Sequence, residues 1–170
     1  MTLDTVPTAA QIAAAWEREL PGARTRSIEI ITPLWGVAKL LADERQRTLH
    51  RLGIDESTLD LLSTLRRAGP PYQLTTRQIT GRSLVTAGAI SQRLARAEAA
   101  GLITRAPTTS SRRGILVTLT DEGHEVIGRV VRELLDYETT LTDRLTGAQQ
   151  AALTDALRCL AAAVRPGHEL

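Results

Sequence analysis

The chain has 170 residues, 42% of them apolar and 24% charged, which are ordinary proportions for one globular domain with room for helical extensions. One cysteine and three histidines at no ligand spacing exclude an internal disulfide framework and a thiolate zinc cluster within one chain. No apolar run reaches membrane-spanning length and the N-terminus lacks a basic segment followed by an apolar one, so a cytoplasmic protein without membrane contact is expected; the net charge is only +2, a mean that hides its distribution.

Residues 8–20, "TAAQIAAAWEREL", favour a helix through their alanines, and Pro21-Gly22 stops it. A longer helix is expected from about Ser27 to Leu52, with an apolar stripe of Ile31, Trp35, Ala38, Leu41, Leu49 and Leu52 interrupted by Arg45. Pro33 must lie near its start or kink it. Asp55 caps a short helix that runs to Gly69 and buries Leu59, Leu62 and Leu65. After the connector "GPPY", Thr75 and Gln78 form a capping box flanked by Leu74 and Ile79, opening a helix that ends near Arg82.

The next helix is capped by Thr86 and terminated by Gly101, and it turns Ile90, Leu94 and Ala97 inward. Its other face carries Gly88, Ser91, Gln92 and Ala95, with Arg93 and Arg96 at the flanks. "LITRAPTTSSRRGILVTLT" then reads as two strands joined by a tip of small polar residues and arginines without an acid. Thr120 caps a long helix with Asp121 and Glu122 in its first turn and a stripe of Ile127, Val130, Val131, Leu134, Leu141 and Leu145. Gly147 is expected to break it, leaving a final Ala/Leu helix over 148–164. Cys159, beside Leu157 and Leu160, reads as a buried inert thiol.

Charge is unevenly placed along these elements. Residues 66–119 hold nine arginines against one acid, Glu98, while the remainder holds twelve basic and eighteen acidic residues. A strongly basic middle between acidic ends suits a polyanion-binding module. Two short helices, a tight turn and a basic hairpin make a winged helix-turn-helix, so the expected fold is mainly α with a small β-hairpin wing. Three segments follow: 1–52, N-terminal helices; 53–119, the DNA-binding module; 120–170, C-terminal helices.

"ISQRLARAEAAGLITR" and "RRGILVTLTDEG", in a stretch running from about residue 27 to the C-terminus, resemble the MarR family of bacterial regulators. The resemblance implies a homodimer joined through its end helices, straddling a pseudo-palindromic operator in double-stranded DNA, and a repressor released by a small anionic or phenolic ligand. The DNA-facing set it implies is Thr75, Arg77, Thr86, Gly88, Ser91, Gln92, Arg96, Ser110, Arg112 and Arg113. The wing departs from the family pattern, with Thr108, Ser110 and Ser111 where aspartates commonly precede the arginine pair.

"WERELPG" after an extra N-terminal helix is similar to the urate-responsive branch of that family. That similarity implies ligand contacts from Trp16, Asp60, Arg93 and Arg105, two guanidiniums binding a planar anion on which a Trp stacks. The match weakens at Arg24, where an acid is common. Each residue also has a plain reading: Trp16 anchors a docked helix, Asp60 is solvated, Arg93 serves DNA phosphates, and Arg105 pairs with Asp60. A winged helix that binds only protein is the alternative function. An enzyme is not expected, since no nucleophile–base set, metal set or phosphate-binding glycine loop is present in the sequence, and neither cofactor nor metal is implied.

Overall fold

The computed structural model describes residues 6–82, 87–108 and 114–164. The chain divides into two compact units, residues 1–53 and 54–170. It is mostly helical with one small antiparallel sheet.

In the first unit, α1 (Ala9–Glu19) packs against α2 (Ile28–Arg51), with a single 3-10 turn, Thr25–Ser27, between them. Thr8 and Gln11 form a reciprocal capping box at the start of α1. The hydroxyl of buried Thr25 donates to Glu17 Oε1 at 2.9 Å and ties the turn back to α1. Pro33 falls at the sixth position of α2, beyond the first turn, so the helix ladder lacks the bond that an N–H there would give to the Glu29 carbonyl. The expected apolar stripe of α2 is closed only at its C-terminal end, where Leu49 is buried. Ile31, Trp35 and Leu41 stand exposed, and so do Ile30, Leu34, Val37 and Leu40 beside them.

The second unit is the basic module and the chain that follows it. Asp55 accepts the Thr58 N–H at 2.7 Å and starts α3 (Glu56–Arg67), whose Leu59, Leu61, Leu62 and Leu65 are buried. A three-residue strand that the sequence pattern did not reveal, β1 (Gln73–Thr75), precedes α4 (Thr76–Arg82). Three residues are too few to display a period of two. The Thr75–Gln78 box is present: Thr75 N–H donates to Gln78 Oε1 at 2.8 Å, and Gln78 N–H donates to Thr75 Oγ1 at 3.3 Å.

Helix α5 (Ala87–Ala99) buries Ile90, Leu94 and Ala97 as its spacing requires. Gly101 then takes φ +72°, a left-handed conformation that ends the helix. Strands β2 (Ile103–Pro107) and β3 (Ile115–Leu119) form the hairpin, and the sheet order is β1-β3-β2. The register sets Leu74 opposite Val117 and Ile103 opposite Leu119, four buried side chains at the root of the hairpin.

Helix α6 (Asp121–Thr142) starts at Thr120, which accepts from Gly123 N at 3.0 Å and donates to the Gly101 carbonyl at 2.7 Å. Ile127, Val130 and Leu134 are buried against the unit's own core. Helix α6 ends at Thr142, earlier than Gly147 suggested, and Gly147 is the first residue of α7 (Gly147–Val164). The reason is a capping box at Thr146 and Gln149, which makes residue 147 a helix start instead of a break. No residue of α7 is buried, and Cys159 is exposed, so the expected buried thiol is corrected.

Candidate nucleic-acid interface and effector residues

The short helices α4 and α5 pack on each other, and α5 runs through Gly101 directly into the hairpin. This places a helix with a polar outer face beside a two-stranded arm. On α5, Gly88, Ser91, Gln92, Ala95 and Arg96 are all exposed, opposite the buried Ile90–Leu94–Ala97 stripe. Arg77 is exposed on the first turn of α4. Thr75 is different, since it is half-buried and its hydroxyl is taken up by the cap with Gln78. Thr86, Ser110, Arg112 and Arg113 lie outside the described residues.

The nine arginines of the basic segment are not equivalent. Among the described residues, four of them are engaged by the protein itself. Arg66 lies against the ring nitrogen of His124 and 5.6 Å from the centre of the Tyr72 ring. Arg93 Nη1 is 3.5 Å from Asp60 Oδ2. Arg96 reaches Asp55 Oδ2 at 3.6 Å and donates to the Ser57 hydroxyl at 3.4 Å. Arg105 donates through Nε to Glu98 Oε2 at 2.7 Å, and its Nη2 meets the same oxygen.

Two of the three carboxylates involved, Asp55 and Asp60, sit on α3 or at its cap, just before the segment in which charges were counted. The Asp55 carboxyl is held below its ordinary range chiefly by the Ser57 hydroxyl, with the Thr58 N–H and the Arg96 charge adding to it. Glu98 is lowered by its hydrogen bond from Arg105, and Arg105 is raised by the same bond.

The four residues matched to a ligand site are divided by this geometry. Trp16 is half exposed on α1 in the first unit, while Asp60, Arg93 and Arg105 belong to the second. Asp60 and Arg93 meet, but Arg105 pairs with Glu98 and not with Asp60, because Glu98 lies in the last turn of α5, seven residues before the strand position of Arg105. An open cleft of about 400 Å³ along α2 is lined by Asp43, Gln46, Arg47 and His50, and none of the four lines it. Among the described residues no cluster of His, Cys, Asp and Glu could hold a metal, and no helix is long and apolar enough to cross a membrane.

An exposed polar helix face, a basic surround and an adjoining β-arm on a helix-turn-helix core define a DNA-binding winged-helix protein. Comparison with known proteins agrees with that class. The model of the MarR family matches residues 52–114. The HTH-type transcriptional regulator PecS of Dickeya dadantii is 32% identical over 127 residues, 75% of this chain and 76% of that protein. The crystal structure of Sco3205, a MarR family transcriptional regulator from Streptomyces coelicolor in complex with DNA, superposes with a TM-score of 0.68 at 30% identity, covering 81% of this chain and 90% of that one. A mutant MarR from E. coli complexed with operator DNA gives 0.60 at 26% identity, covering 76% and 94%. The chain belongs to the MarR family of DNA-binding transcriptional regulators.

Proposed function

We propose that the protein is a homodimeric repressor that reads its operator through α5, grips the flanks with the hairpin arm, and is released by a small planar anion of the urate type or by a phenolic ligand. The observation that carries the DNA half of this reading is the exposed Gly88–Ser91–Gln92–Ala95 face of α5. Glycine, serine and alanine keep side chains short enough for close approach, and a glutamine amide has the donor and acceptor pair that matches adenine in the major groove. Arg77 and Arg96 supply phosphate contacts on either side, and Arg112 and Arg113 supply them from the hairpin.

Dimerisation is supported by apolar side chains that the single chain leaves in water. Trp35 is 72% exposed and Leu40 68% on α2, and Leu153 and Leu157 are exposed on α7. Leu134 is not part of that surface, because it is buried within its own unit. The effector half rests on the Trp16, Asp60, Arg93 and Arg105 set.

Fluorescence anisotropy with DNA flanking the protein's own gene tests the whole reading. Wild type should prefer that DNA to a scrambled duplex, and millimolar urate or salicylate should weaken the binding. Trp16→Ala should leave DNA affinity intact and blunt the response to urate. Equal affinity for both duplexes would refute the operator reading, and a wild type indifferent to every anion tried would refute the effector reading alone.

A further inference from the structure

The basic segment, residues 66–119, retains one acid, and the structure shows what it holds. Glu98 stands in the last turn of α5, and Arg105 is the central residue of β2. Two nitrogens of one guanidinium converge on a single carboxylate oxygen, Glu98 Oε2. The pair bridges the reading helix and the arm at a corner whose backbone is already fixed: Gly101 N–H donates to the Glu98 carbonyl at 2.9 Å, and Leu102 N–H donates to the Ala97 carbonyl at 3.0 Å. Backbone bonds set where the chain turns. The buried root of the hairpin seats it on the module, and the charged side-chain link adds a tie across the corner, between the helix and the strand that leaves it. A carboxylate in a segment otherwise free of acids opposes polyanion binding by simple Coulomb repulsion. Its presence there is explained if its contribution to geometry outweighs that repulsion.

We propose that Glu98 is a positioning residue for DNA binding: through Arg105 it fixes the hairpin arm relative to α5, so that both elements meet the duplex at once. This rests on the reading that α5 and the arm each touch DNA. The ends of the pair are about one-third exposed, at 37% for Glu98 and 32% for Arg105, so the link is a modest one. Its loss should reduce operator affinity by roughly threefold to fivefold per protomer, in line with pairs of that exposure.

The sign of the effect makes the test decisive. Glu98→Gln removes a negative charge beside DNA, so electrostatics alone predicts tighter binding. Lost positioning predicts weaker operator binding, with random DNA held as tightly as by wild type or more so. The exchanged double variant, Glu98→Arg with Arg105→Glu, has the wild-type net charge and remakes the link in reverse. It should recover operator affinity that Glu98→Gln and Arg105→Glu each lose. Circular-dichroism melting of every variant should stay within a few degrees of wild type, as expected for an exposed pair. Operator affinity unchanged or raised in Glu98→Gln overturns the proposal, as does a double variant no better than Arg105→Glu. Arg113→Ala serves as the reference. If it leaves operator affinity unchanged, the arm does not grip DNA and the underlying reading fails. If it weakens binding while Glu98→Gln does not, only the positioning role fails.

Discussion

Gly123 in the first turn of α6 should be intolerant of a single added methyl group. A Cβ at this position would lie 2.1 Å from the Leu102 carbonyl oxygen and 2.8 Å from Leu119 Cδ1. The leucine methyl can rotate away, but the carbonyl is backbone and also accepts the Thr120 N–H at 3.1 Å. Relief needs a separation of roughly 1 Å, which overpacked cores accommodate at about 2 kcal/mol. The Thr120–Leu102 bond contributes about 1 kcal/mol, and the Thr120 cap on Gly123 N about 1 more. Alanine's better helix propensity returns at most about 1 kcal/mol. Gly123→Ala should therefore lose about 3 kcal/mol, and Tm should fall by about 6–12 °C. Gly128→Ala, further along the same helix, is the control. Its Cβ would meet only the flexible guanidinium of Arg132, no nearer than 3.4 Å. It should hold or raise Tm. Thermal melts followed by far-ultraviolet circular dichroism decide the matter, and a Gly123→Ala protein melting within about 2 °C of wild type would refute the assigned close approach.

Gln92→Ala should erase most of the preference for operator over scrambled duplex while leaving the melting temperature unchanged, as read by parallel anisotropy titrations; full discrimination retained would remove Gln92 from the reading surface. Arg113→Ala should weaken operator and random DNA alike and flatten the log–log salt dependence by roughly one unit for each phosphate that is no longer neutralised; an unchanged slope would mean that Arg113 does not touch the DNA backbone. Asp55→Asn keeps a capping side chain but removes the charge whose carboxyl the fold holds low. A depressed folded-state value stabilises above the unfolded value of about 3.9 and stops doing so as pH falls through the folded one. Urea midpoints should then show wild type losing stability below about pH 4 more steeply than Asp55→Asn, and parallel acid curves would refute that assignment.

Much of the fold was legible because helix ends announce themselves locally. Asp55, the Thr75–Gln78 pair, Gly101 and Thr120 each act where their spacing placed them. The same rule extends to Thr8–Gln11 and Thr146–Gln149, and overlooking the second assigned Gly147 to a break. Partner choice was less legible. Nothing in the order of residues states that Arg105 meets Glu98 instead of Asp60, since that depends on how strand β2 leaves the corner. The charge count had the same limit. Asp55 and Asp60 precede the basic segment in sequence yet pair with arginines within it, so the module's surface is less positive than the count over residues 66–119 implies. The exposed stripe of α2 shows the converse, as periodicity identified an apolar face without saying whether its own chain would cover it.

The close approach at Gly123 also gives α6 a mechanical character. The helix has 22 residues and is therefore about 33 Å long. Its root bears on the carbonyl where α5 hands over to the hairpin, with no side chain between to absorb movement. A joint without slack transmits small rotations faithfully in both directions. A rigid tilt of about 2° displaces the far end of such a helix by roughly 1 Å. From the far end, the same ratio runs backward: a displacement of about 1 Å there corresponds to about 2° at the corner between α5 and the hairpin.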